Sequence, residues 1–97
     1  MQFKLIFSEE AKLNLREIES EKSKKALLKQ IRKVLGLMET NLRHPSLNTH
    51  KFDGISCKIG EVFETYAQNK TPGAYRIFWA YGPSKSVIII LAITPHP

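Results

Sequence analysis

Residues 61–94 read EVFETYAQNKTPGAYRIFWAYGPSKSVIIILAIT, and this stretch decides the fold class. Pro72-Gly73 and Gly82-Pro83 are turn signals that divide it into three runs: Glu61–Gln68, Ala74–Tyr81 and Val87–Thr94. Three runs of strand length joined by tight turns predict an antiparallel meander. Val87–Ile93 is apolar without alternation, which predicts a strand buried on both faces.

Toward the N-terminus the periodicity changes. Leu27, Leu28, Ile31, Val34, Leu35, Met38 and Leu42 form one apolar stripe at helical spacing, while Lys24, Lys25, Lys29, Arg32 and Lys33 fall largely on the other side. The spacing predicts a helix from about Lys22 to Leu42, stopped by Pro45, because the residue before a proline avoids the helical region. Before it, Ala11, Leu15 and Ile18 predict a shorter helix, with Ser8 as N-cap and Glu9 and Glu10 in the first turn, where the helix dipole favours acids. Phe3, Leu5 and Phe7 alternate with Gln2, Lys4 and Ile6, which predicts an opening strand. Residues 43–60 are rich in turn formers and predict one long connection, a common location for functional residues. The order is β-α-α-β-β-β: an α+β fold with a four-stranded, mostly antiparallel sheet packed against an N-terminal helical hairpin. The first strand is expected at a sheet edge or beside the last strand. The uncovered face is expected to carry Arg76 and the tyrosines, with the basic loop near its rim.

The chain has 97 residues, enough for one domain spanning 1–97. Its net charge of +6 is concentrated: residues 22–58 hold nine basic and two acidic side chains, an excess of +7. Such a block attracts nucleic acid or an acidic protein. A solvated basic helix face gives the same count, so charge alone leaves both readings open. Cys57 is the only cysteine, which excludes an intrachain disulfide and fits a reducing compartment. Its Ile-Ser-Cys-Lys flank offers no nucleophile pattern. With no basic leader followed by an apolar run, and no apolar run long enough for a bilayer, the expected location is cytoplasmic, without membrane association.

Three local motifs carry a resemblance. The first is His44-Pro45-Ser46-Leu47 followed by His50-Lys51-Phe52-Asp53-Gly54. The second is Ala74-Tyr75-Arg76-Ile77. The third is the end of the last strand at Thr94-Pro95-His96-Pro97. In this order, and spanning essentially the whole chain, they resemble the RelE/ParE superfamily of toxins from type II toxin–antitoxin systems, the RelE-like branch in particular. The resemblance implies an endoribonuclease that cleaves mRNA, in the ribosomal A site, and so inhibits translation, with an acidic cognate antitoxin as partner. It equally admits a ParE-like toxin that binds gyrase and cuts no RNA, or an inactive homologue that only binds RNA or an antitoxin, since fold alone does not separate these.

Metal-free RNA cleavage needs a base for the 2′-OH, a cation for the phosphorane and an acid for the leaving 5′-oxygen. No HExxH, CxxC or clustered carboxylate motif supports a metal route, so neither metal nor cofactor is expected. Arg76 is the candidate for the phosphate, because guanidinium is always charged and forks onto phosphate oxygens. By resemblance it is the strand arginine of the nuclease branch. A solvent-facing arginine paired with Glu64 is the bland alternative. His96 and Glu64 are the candidates for proton transfer. Arg43, His50, Lys51 and Lys58 are candidate phosphate contacts in the loop. Tyr66 and Tyr81 are candidates for base stacking or for a proton-transfer role. The nuclease branch often shows lysines where this chain has Glu61, Glu64 and Tyr66, and the C-terminal tyrosine that some members use is absent.

Overall fold

The computed structural model describes residues 2–54, 60–68 and 73–95. Strand β1 (Lys4–Phe7) leads into helix α1 (Glu9–Ser20), a 3-10 turn (Lys22–Lys24) and helix α2 (Lys25–Thr40). A second 3-10 turn (Pro45–Leu47) precedes the two-residue strand β2 (His50–Lys51). Strands β3 (Phe63–Tyr66), β4 (Tyr75–Tyr81) and β5 (Val87–Pro95) follow. The sheet order is β1-β5-β4-β3-β2. β1 joins β5 in parallel and every other pairing is antiparallel. The expected first strand therefore lies at an edge beside the last.

The sheet has five strands where four were expected. The additional strand lies within the 43–60 connection. Two residues are too few to show a period of their own, so β2 exists only through its pairing of His50 with Glu64 and Lys51 with Phe63.

Local chemistry explains the helix boundaries. Ser8 Oγ accepts from the Ala11 amide at 3.0 Å and donates to the Leu91 carbonyl at 2.9 Å, so the N-cap also ties α1 to β5. Asn14 Oδ1 adds a second tie, accepting from the Ile93 amide at 2.9 Å. The predicted helix over 22–42 is shorter than expected at both ends. Lys22–Lys24 form the 3-10 turn, and α2 ends at Thr40, where Asn41 leaves helical geometry. Pro45 instead opens the next 3-10 turn, where its missing N–H costs nothing.

The apolar stripe of α2 lies against the sheet. Ile31, Val34, Leu35 and Met38 are buried, together with Ala11 and Ile18 of α1 and Ile77, Trp79, Ile88, Ile90 and Ile93 of the sheet. Each fully buried aliphatic side chain here stabilises the fold by about 1.5–3 kcal/mol relative to exposure. β5 does not have the two-sided burial that its continuous apolar run predicted. Ile88, Ile90 and Ile93 are buried, but Val87, Ile89, Leu91 and Ala92 are only half-buried, because the helices cover one face and leave the other partly open. A bulge at Phe78/Trp79 resets the β4–β5 register, with Phe78 opposite Ala92 and Trp79 opposite Ile90. Among the described residues no helix is long and apolar enough to cross a membrane.

Candidate functional site

Strand alternation sorts the candidate side chains onto two faces. On the face away from the helices, cross-strand partners line up in two adjacent rows. One row runs His50, Glu64, Phe78, Ala92; the other runs Tyr66, Arg76, Thr94. The rows are two residues apart along each strand, about 7 Å.

Arg76 is the centre of the second row. It is only 9 % exposed, so a solvent-facing arginine is ruled out. Nη1 donates to the Gln68 carbonyl at 2.8 Å and, more weakly, to the Tyr75 carbonyl at 3.3 Å. The guanidinium lies over the Tyr66 ring, its carbon 3.7 Å from the ring centroid. Nε–H is buried and has no partner among the described residues. A buried donor without an acceptor costs about 1–3 kcal/mol, and the cation–π contact offsets part of that. The charge is thus locked in place and partly dehydrated, with donor capacity unspent.

The first row holds a histidine–carboxylate pair. His50 Nε2 lies 2.7 Å from Glu64 Oε1, with Glu64 1 % exposed and the imidazole 46 % exposed. His50 Nδ1 lies 2.9 Å from the Asn48 carbonyl oxygen. A carbonyl can only accept, so Nδ1 must donate to make that bond. The contact at Nε2 then also needs a proton, held either by the imidazole or by the carboxyl. His50 and Glu64 therefore share a proton between them. Asn48 presents its carbonyl from a left-handed backbone, φ 47°, closing the 3-10 turn. The His50 ring also meets the edge of Tyr66, centroids 5.6 Å apart at 82°, which joins the two rows.

The expectations for the site divide accordingly. Arg76, Glu64, Tyr66 and His50 come together on one face. Glu64 stands opposite Phe78 rather than Arg76, and its carboxylate engages His50. Tyr66 has Arg76 over its ring, so that face is taken. Lys51 pairs with Glu61 at 2.9 Å, and this hydrogen bond together with the carboxylate's charge holds its ammonium above the usual lysine pKa. Lys58 and His96 lie outside the described residues, as does Cys57; β5 contributes Thr94 opposite Arg76. Of the three tyrosines expected beside Arg76, only Tyr66 shares its face. Tyr75 packs toward the core, where Lys24 Nζ donates to its hydroxyl at 3.2 Å. Tyr81 lies beside Phe63 and Trp79, and Arg43 lines a cavity with it. Alternation explains the split, since Tyr75, Trp79 and Tyr81 are separated from Arg76 by odd numbers of positions. His44 caps the 3-10 turn: its Nδ1 accepts from the Ser46 amide at 3.1 Å.

Two contributions were missed from sequence. Gln68 anchors Arg76 through its carbonyl and the Tyr75 amide through its side chain, at 3.1 Å. His50 reads as a loop residue in sequence, and no local signal links it to Glu64.

No family model and no curated protein matches this chain by sequence. Solved structures match it along its whole length. The YoeB/ParE toxin from Agrobacterium tumefaciens has a TM-score of 0.71 at 6 % identity, over 98 % of this chain and 100 % of that one. The archaeal RelE–RelB complex from Pyrococcus horikoshii OT3 has 0.67 at 14 % identity, over 98 % and 96 %. The YoeB–YefM toxin–antitoxin heterotetramer from Staphylococcus aureus has 0.67 at 14 % identity, over 100 % of both chains. The chain therefore has the fold of the RelE/ParE toxins.

Proposed function

We propose that this protein is the toxin of a toxin–antitoxin pair and a metal-independent endoribonuclease that cleaves mRNA. The observation that carries the reading is the pairing, on adjacent rows of one sheet face, of a buried guanidinium with an unpartnered Nε–H and a proton-sharing histidine–carboxylate pair. The fold it shares with RelE and YoeB toxins agrees with it.

In this mechanism the RNA lies along the sheet face away from the helices with its scissile phosphate at Arg76. Both ring nitrogens of His50 are engaged, Nδ1–H by the Asn48 carbonyl and Nε2 by Glu64. The proton of the 2′-OH passes to the His50–Glu64 pair at its Nε2–Oε1 contact, while Nδ1–H stays on the Asn48 carbonyl. Oxygen 2′ attacks phosphorus while the bond to oxygen 5′ breaks, leaving a 2′,3′-cyclic phosphate and a 5′-hydroxyl. Arg76 stabilises the charge that develops on the phosphorane. Buried Glu64 is a positioning residue that orients His50, and Tyr66 holds the guanidinium flat. Protonation of the leaving oxygen is assigned to His96 on sequence order alone. The basic block over residues 22–58 suits the ribosomal A site as the place of cleavage and an acidic antitoxin as the partner.

The test is a translation reaction supplied with purified protein, with mRNA ends mapped. Wild type should produce cleaved mRNA with 2′,3′-cyclic phosphate ends, and Arg76→Ala should lose about 10²–10³-fold in rate while melting as a folded protein. Arg76→Lys should recover little, because a point charge does not replace a fork. Intact mRNA with wild type, accompanied by DNA damage on expression, would instead identify a gyrase-binding toxin.

A further inference from the structure

At the end of the sheet away from Arg76, two adjoining cavities of about 420 and 320 Å³ lie between the sheet and the segment after α2. Arg43 and Tyr81 line both. The larger also includes Phe63 and Trp79; the smaller extends to Phe3 and Thr40.

Tyr81 is 50 % exposed yet held in place. Its ring meets Phe63 at 5.5 Å and 79° and Trp79 at 5.1 Å and 81°, while Phe63 and Trp79 stack on each other at 4.8 Å and 24°. Trp79 is itself fixed, since Nε1 donates to Thr65 Oγ1 at 2.8 Å, and that hydroxyl also bonds Thr49 Oγ1 at 3.0 Å. An exposed aromatic ring already held by its neighbours loses little rotamer freedom when a ligand covers it.

The charge around this ring points to the ligand. Neither cavity is lined by a carboxylate, and among the described residues exposed Arg43 forms no ion pair. A fitting ligand therefore combines a flat face with a negative charge one side chain away. A nucleotide in a single strand has both. A duplex hides its base faces, an aliphatic side chain leaves the guanidinium unused, and an acidic side chain leaves the ring unused.

We propose that Tyr81 and Arg43 form a second single-stranded RNA subsite, in which a base stacks on Tyr81 and its phosphate meets Arg43. The two cavities sharing these residues take successive nucleotides. Such sites combine aromatic platforms with basic rims and read sequence weakly. The subsite lies on the opposite face from Arg76 and does not depend on the cleavage reading.

The test measures binding of fluorescein-labelled hexa-adenylate RNA to the Arg76→Ala protein, which keeps the probe intact. Trp79, the chain's single tryptophan, sits in the cavity wall and supplies a second readout through its fluorescence. Base–aromatic stacking predicts that Tyr81→Leu, which keeps apolar cover over Trp79, weakens binding about five- to hundredfold. Tyr81→Phe should stay within about twofold, and Arg43→Gln should lower the salt slope by about one phosphate contact. Melting temperatures confirm that each variant is folded, and the pair of Phe and Arg43 variants decides the matter if Tyr81→Leu is not. RNA binding by folded Tyr81→Leu equal to its parent would overturn the proposal. So would hexaglutamate perturbing Trp79 as strongly as RNA does, which would make the cavity a docking site for acidic protein. Because the measurement is made on a cleavage-deficient protein, it reads the same whether or not wild type cuts mRNA.

Discussion

The molecule holds two arginine–tyrosine pairs, one on each face of the sheet, and they are built differently. Arg76 is buried, bonded to two carbonyls and laid over Tyr66, so that tyrosine has spent a ring face on its own arginine. Arg43 is exposed and Tyr81 half-exposed, braced by aromatic neighbours instead of by a cation. The first arrangement fixes a charge and gives up a stacking surface. The second keeps both groups open for a ligand. The same two residue types thus present different surfaces according to what covers them, which is why neither tyrosine's surroundings follow from its being a tyrosine.

The contrast breaks most visibly at the histidine that joins the two rows on the face away from the helices. His50→Ala should reduce cleavage by about 10²–10⁴-fold, the usual contribution of a positioned proton-transfer group, with RNA binding at the Tyr81 end unchanged. Glu64→Gln should cost less and should shift the pH profile of cleavage, because the amide cannot share the proton. Wild-type cleavage and an unchanged profile in a folded Glu64→Gln protein would reduce the carboxylate to a packing element.

A smaller effect is expected from Trp79→Phe. It deletes the hydrogen bond to Thr65 and part of a fully buried ring. The cost should be about 1–3 kcal/mol, read as a fall in melting temperature of several degrees. If the two faces are independent, cleavage by the folded fraction stays at the wild-type rate; a parallel loss of cleavage would show that they are coupled through β4.

The smallest effect belongs to the sheet rim. The bond to Glu61 raises the Lys51 pKa above its ordinary 10.5. A raised lysine contributes stability that is complete below its unfolded value and is lost as pH climbs through the folded one. The slight difference in melting temperature between wild type and Glu61→Gln should therefore persist up to about pH 10 and vanish in stronger alkali. A difference that survives there would mean that Glu61 acts by packing. Both side chains are exposed, so salt should screen the effect as well.

What the sequence determined by itself was whatever repeats at short range. The stripe from Leu27 to Met38 set the helix and the face it buries, Ser8 set where α1 starts, and the two Pro/Gly turns cut the C-terminal third into three strands. Motif order was enough to point to the toxin fold, and Arg76 stood out as a charge in an apolar strand. Tertiary structure decided the rest. The pairing of Lys51 with Phe63 made a strand from a segment with no period of its own. A continuous apolar run in β5 says nothing about whether one face or two are covered, and the helices cover one. His50 meets Glu64 only because the sheet order β1-β5-β4-β3-β2 puts β2 beside β3, and Arg43 and Tyr81 line one cavity only because the segment after α2 lies against the end of β4. Contacts between residues far apart in the chain leave no local pattern, since nothing in either segment's spacing or propensity depends on the other until the sheet has formed.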